Sequence, residues 1–129
     1  MRIHHVGYMV KKIEKAITAF EELGYSRESD IILDEYRKIN ICFLKKGDYT
    51  IELISPISKE SVISDLIKKM GNSPYHICYE TDSFDRDVDD LLKKKYVMCS
   101  EKHEAIAINR KNVCFLVHPY MGMIELVEA

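Results

Sequence analysis

Two histidines and two glutamates, His5, Glu52, His76 and Glu125, have the types and the spacing of a divalent-metal site. Two neutral imidazoles and two carboxylates balance the charge of a divalent ion. They suit zinc, nickel, cobalt, iron or manganese better than copper(I) or calcium. On an octahedral ion, four protein ligands leave two adjacent positions for water, or for two oxygens of one small-molecule substrate. Taken singly, a strand histidine is usually a satisfied structural residue, and a strand glutamate facing water is common.

Their placement within a duplication argues against that ordinary reading. Asn40 opens the word N-I-C-F-L and Asn112 opens N-V-C-F-L, an offset of 72 residues. The word I-E-L beginning at Ile51 returns at Ile124 with an offset of 73, and H-V-G-Y from His5 answers H-I-C-Y from His76 with an offset of 71. Three words in one order at nearly one spacing indicate two copies of one unit. His5 therefore falls on His76, and Glu52 on Glu125. A solvated surface has no reason to keep the same polar residues at equivalent points among apolar neighbours. Period-two geometry also turns Glu52 away from Ile51 and Leu53.

The elements that must carry these residues follow from periodicity. Residues 3–10 alternate and suit a strand. Ile13, Ala16, Ile17, Phe20 and Leu23 then recur at helical spacing before Gly24. Phe84, Val88, Leu91 and Leu92 repeat this on an acidic helix ending near Lys95. Strands are expected at 39–44 and 49–54, and at 105–109, 112–117 and 123–127. A further strand of the first half is expected near 29–33. Turns are expected at Lys46-Gly47-Asp48 and at Pro119 to Gly122. The reading is an α+β fold of two tandem β-α-β-β-β modules, 1–56 and 74–129, joined by a helix over 58–70. A module of about 55 residues is marginal alone, so the two are expected to share one core in a single domain, 1–129.

The remaining residues give weaker signals. His4 points to the face opposite His5. His103 and His118 have no histidine counterpart in the first half. Cys78 lies on the face of His76 and either lines the site or fills space, whereas Cys42 and Cys114 repeat each other as core. The four cysteines lack C-x-x-C spacing and are expected to be reduced thiols. Lysine pairs at 11–12, 45–46 and 68–69 would suit a phosphorylated ligand but are commonplace on solvated surfaces. A net charge of −2 with interleaved signs argues against nucleic acid. The absence of a long apolar run or charged-then-apolar leader sets the expectation of a cytoplasmic protein with no membrane partner.

With these residues in place, the whole chain resembles the vicinal oxygen chelate superfamily, also called glyoxalase-like proteins. H-H-V-G-Y-M-V followed by a helix ending L-G-Y is similar to the superfamily's first strand and helix. G-D-Y-T-I-E-L-I-S-P, Y-H-I-C-Y-E and H-P-Y-M-G-M-I-E-L-V-E resemble methylmalonyl-CoA epimerases in particular. The resemblance implies a U-shaped sheet around one divalent metal, with ligands falling on His5, Glu52, His76 and Glu125, and often a homodimer. It implies a metal-dependent lyase or isomerase that stabilises an enolate during α-proton transfer on an acyl-CoA or other thiol-derived substrate. Epimerase-like and lactoylglutathione lyase-like chemistry both fit. Glu125 and Glu52 are the candidate bases, because 38–44 lacks the acid that some epimerases carry there. The alternative on the same fold is a non-catalytic small-molecule or antibiotic-binding protein.

Overall fold

Each half of the chain lays a helix across one face of its strands and keeps the other face for histidine and glutamate. In the computed structural model, which describes residues 1–129, the order is β1 (Arg2–Met9), α1 (Ile13–Glu22), β2 (Ser26–Arg27), β3 (Ile32–Asp34), β4 (Ile39–Lys46), β5 (Tyr49–Pro56), α2 (Ser64–Met70), β6 (Ser73–Thr81), α3 (Phe84–Leu92), β7 (Val97–Ala105), β8 (Lys111–His118) and β9 (Gly122–Glu128). The α+β class and the repeated β-α-β-β-β order are both found. The chain divides into two compact units, 5–75 and 76–129, with residues 1–4 belonging to the latter. The division cuts β1 after His4 and β6 after Tyr75.

In the unit of 5–75, β1 runs parallel to β5, with Gly7 across from Glu52 and Tyr8 across from Leu53. β5 pairs antiparallel with β4, which in turn carries β2 and β3. The apolar stripe of α1 is short, but its neighbours supply the rest of the core. Ile13 and Ile17 pack against Cys42, Leu44, Ile51 and Leu53, and Tyr8, Phe20 and Tyr25 extend the contact. Phe20 meets Tyr8 and Tyr25 edge to face at 5.2 and 5.3 Å. Gly24 ends the helix at φ +97, a left-handed backbone that an L side chain resists.

The other unit repeats the plan. β6 runs parallel to β9, with Cys78 across from Glu125 and Tyr79 across from Leu126. β9 pairs antiparallel with β8, and β8 with β7. Phe84 and Val88 of α3 pack against Cys114, Leu116, Ile124 and Leu126. Both chain ends are tied down here. Arg2 donates to Glu80 and to Asp82 at 3.0 to 3.2 Å, and Glu128 accepts the Asn112 N–H at 2.7 Å.

Three elements differ from the expectation. The strand expected near 29–33 is two short pieces, because residues 28–31 leave the ladder. The helix expected from residue 58 starts only at Ser64. The Ser58 carbonyl accepts the Ser61 N–H and the Ser64 hydroxyl, and Ser61 Oγ accepts the Ile63 N–H, so serine turns take the groups a helix would use. Of the residues expected as a strand at 105–109, only Ala105 lies in one. Ile106–Ile108 is a single 3-10 turn, followed by Asn109 and Arg110 at φ 51 and 59, and the strand lies upstream at Val97–Ala105. Charge on 101–104 hid that edge strand, and left-handed Asn109 makes its hairpin.

Candidate metal centre

The parallel pairing of first and last strands brings a histidine beside a glutamate in each unit. In 5–75, His5 Nε2 lies 3.4 Å from Glu52 Oε1, with both side chains at most 1% exposed. In 76–129, His76 Nε2 lies 3.0 Å from Glu125 Oε2, with the same burial. The ladders explain both pairs. Each glutamate stands across from the residue two places after the histidine, Gly7 or Cys78, and residues two apart share a face. The opposite face holds Ile51 and Leu53 in one unit, and Ile124 and Leu126 in the other, against the helices.

A buried carboxylate is costly unless it is paired. Each unit supplies one carboxylate and one imidazole at equivalent positions. The four are all buried and offer nitrogen and oxygen donors of a kind that fits a divalent first-row ion.

Beside each histidine stands a phenylalanine to which the sequence reading gave no role. The Phe43 ring meets His5 at 5.5 Å and 80°, and the Phe115 ring meets His76 at 5.2 Å and 90°. Phe43 is across the ladder from Glu52, and Phe115 from Glu125. The signal was present, since both lie in the repeated words at 40–44 and 112–116. Only the register shows that the aromatic, rather than its neighbouring cysteine, faces the histidine.

His4 is half-buried, and a ring nitrogen of it lies within 4.8 Å of the Cys78 sulfur, a proximity that strand alternation alone did not suggest. His103 stands across from Val113 on β7, with Nδ1 2.9 Å from the Glu101 carbonyl oxygen. His118 ends β8, where its Nδ1 accepts the Tyr120 N–H at 3.1 Å and its ring tilts against Tyr96 and Tyr120. Cys78 is fully buried on the His76 face, and Cys42 and Cys114 are core. All four cysteines are free thiols. Burial pushes the Cys114 thiol up to about 12, with the Glu125 charge adding to it. The lysines at 11–12, 45–46 and 68–69 are exposed. No helix is long and apolar enough to cross a membrane.

Comparison with known proteins identifies the family and the fold. A family model described as the Glyoxalase/Bleomycin resistance protein/Dioxygenase superfamily matches residues 4–115. The mitochondrial methylmalonyl-CoA epimerase of Homo sapiens is 30% identical over 131 residues, covering 99% of this chain and 74% of the human protein. That of Bos taurus is 32% identical over 132 residues, with 99% and 74% covered. Among solved structures, methylmalonyl-CoA epimerase from Mycobacterium tuberculosis matches with a TM-score of 0.84 at 22% identity, over 98% of this chain and 87% of that one. A variant of Streptomyces coelicolor methylmalonyl-CoA epimerase in complex with 2-nitronate-propionyl-CoA matches with a TM-score of 0.86 at 20% identity, over 100% and 97%.

Proposed function

Because the chain belongs to the Glyoxalase/Bleomycin resistance protein/Dioxygenase superfamily, on its methylmalonyl-CoA epimerase-like branch, we propose that it is a metal-dependent epimerase of a branched malonyl-type acyl-CoA. The observation that carries the reading is the matched pair of buried His–Glu contacts, one in each unit, at positions related by the duplication. In this reading His5, Glu52, His76 and Glu125 would hold one divalent ion, and the chain would act as a single domain. Such an ion, when bound, would supply positive charge to offset the negative charge that develops on a thioester during α-proton removal.

The rest is the work of side chains. Inverting the α-carbon needs a proton taken from one face and returned on the other, hence two bases. The site face of β4 carries Ile39, Ile41 and Phe43 and no acid. Glu52 and Glu125 are therefore the two proton carriers: one starts ionised and takes the α-proton, the other starts protonated and gives its proton to the opposite face, and exchange with solvent restores the starting state before the next turnover in the same direction. The apolar surroundings keep water from competing for the carbanion. The proposal includes a cytoplasmic homodimer acting on a coenzyme A thioester.

Metal analysis and isotope exchange test it together. Protein purified without chelator is expected to carry one divalent ion per chain, lost in both Glu52→Ala and Glu125→Ala. Two ions per chain would mean that each pair binds separately. With methylmalonyl-CoA in deuterium oxide, the α-carbon is expected to gain deuterium, and Glu52→Gln or Glu125→Gln to slow this by at least a hundredfold. Tight stoichiometric binding without exchange would overturn the enzyme reading in favour of ligand capture.

A further inference from the structure

In both units a serine at an irregularity of the strand pairing accepts the backbone N–H of the phenylalanine that faces the histidine. The Phe43 N–H donates to Ser29 Oγ at 3.2 Å, and the Phe115 N–H donates to Ser100 Oγ at 3.1 Å. Ser29 sits in the gap between β2 and β3, where the Glu28 N–H also donates to the Phe43 carbonyl at 2.9 Å. Ser100 sits where the β7–β8 register shifts. Ser29 and Ser100 are 71 residues apart, the same offset as His5 and His76. Strand interruptions of this kind re-aim a side chain beside a site, at the expense of regular pairing.

We propose that Phe43 and Phe115, each anchored by its serine, are positioning residues that fix the ring orientation of His5 and His76. The near-perpendicular contact restricts rotation of each imidazole about its χ2. The same aromatic ring stands across the strand from the glutamate, so one side chain walls both donors of its unit. A ligand histidine is normally oriented by a neighbour of its second ring nitrogen. Here an aromatic flank, repeated in both halves, takes a share of that task. The role in metal binding rests on the proposed function; the role in ring orientation does not.

The test uses Phe43→Leu, Phe115→Leu, Ser29→Ala and Ser100→Ala, with Phe43→Tyr as the conservative control. Histidine side-chain NMR on the metal-free protein is expected to show His5 alone broadened or shifted in Phe43→Leu and Ser29→Ala. His76 alone should respond in Phe115→Leu and Ser100→Ala, and Phe43→Tyr should resemble the parent. Cobalt(II) affinity, measured by chelator competition, should fall about tenfold in Phe43→Leu, at the low end for loss of an orienting neighbour. Histidine signals unchanged in Phe43→Leu and Ser29→Ala, or both histidines altered equally by either, would overturn the proposal. Should Phe115→Leu fail to fold, Ser100→Ala carries that half of the test. A parent protein that takes no divalent ion sinks the metal reading, while the ring signals still decide the positioning role.

Discussion

At the scale of single residues, the cysteines show how burial sets reactivity in this chain. Cys42, Cys78 and Cys114 are each 0% exposed, and burial raises the Cys42 and Cys114 thiols, so neither of those two presents thiolate near neutrality. Cys99 is exposed on β7, its thiol also raised by partial burial. A thiol reagent at pH 8 is therefore expected to titrate one group per native chain, faster as pH rises, and four after unfolding. Cys99→Ser should abolish the native reaction. A second fast thiol would show that one of the buried strands opens readily. The glutamates present a different case, because their carboxyl groups are equally buried but stand beside imidazoles. That contrast between inert buried sulfur and buried carboxylate beside imidazole sets Glu52 and Glu125 apart from the core around them.

At the scale of elements, each sheet face has its own task. Ile17 on α1 and Leu126 on β9 belong to the helix-side cores, opposite the glutamates. Ile17→Ala and Leu126→Ala are expected to cost about 2–5 kcal/mol each in denaturant unfolding, as large-to-small core changes do. Metal content of the folded fraction should stay near that of the parent. A proportionate loss of metal would mean that the two faces are not independent. The elements that differ from the sequence expectation are the ones where side chains compete with the backbone ladder: serines at 58–64, Asn109 at the hairpin, and Ser29 and Ser100 at the interruptions. Two of these competitors frame the proposed centre.

At the scale of the whole molecule, the duplication is imperfect in a way that involves the chain ends. Residues 1–4 join the unit of 76–129, where Arg2 binds Glu80 and Asp82, and Glu128 accepts the Asn112 N–H. The Arg2 guanidinium holds the Asp82 carboxyl below its usual value, and the Asn112 N–H does the same for Glu128. A lowered folded-state pKa contributes stability that is present above the unfolded value and lost as pH falls through the folded one. Acid is therefore expected to loosen both termini below about pH 4, where carboxylates take up protons. Asp82→Asn and Glu128→Gln should flatten the acid limb of stability against pH, and hydrogen exchange at residues 2–4 and 111–113 should rise first. An acid limb unchanged in the double variant would place the acid-sensitive groups elsewhere.

Much of this protein is legible from one dimension. The repeated words show duplication, alternation shows which residues share a face, and helical spacing places α1 and α3, so the candidates His5, Glu52, His76 and Glu125 follow from residue type at equivalent positions. Tertiary structure decided which strands are neighbours. The parallel pairing of β1 with β5, and of β6 with β9, joins residues more than forty apart, and its register sets Glu52 opposite Gly7 and Glu125 opposite Cys78. It also decided that Phe43 and Phe115 face the histidines while Cys42 and Cys114 face the helices. Periodicity sorts side chains into two faces within a strand, but which face meets which partner depends on hydrogen-bonded register between distant segments, and that is settled only when the core packs.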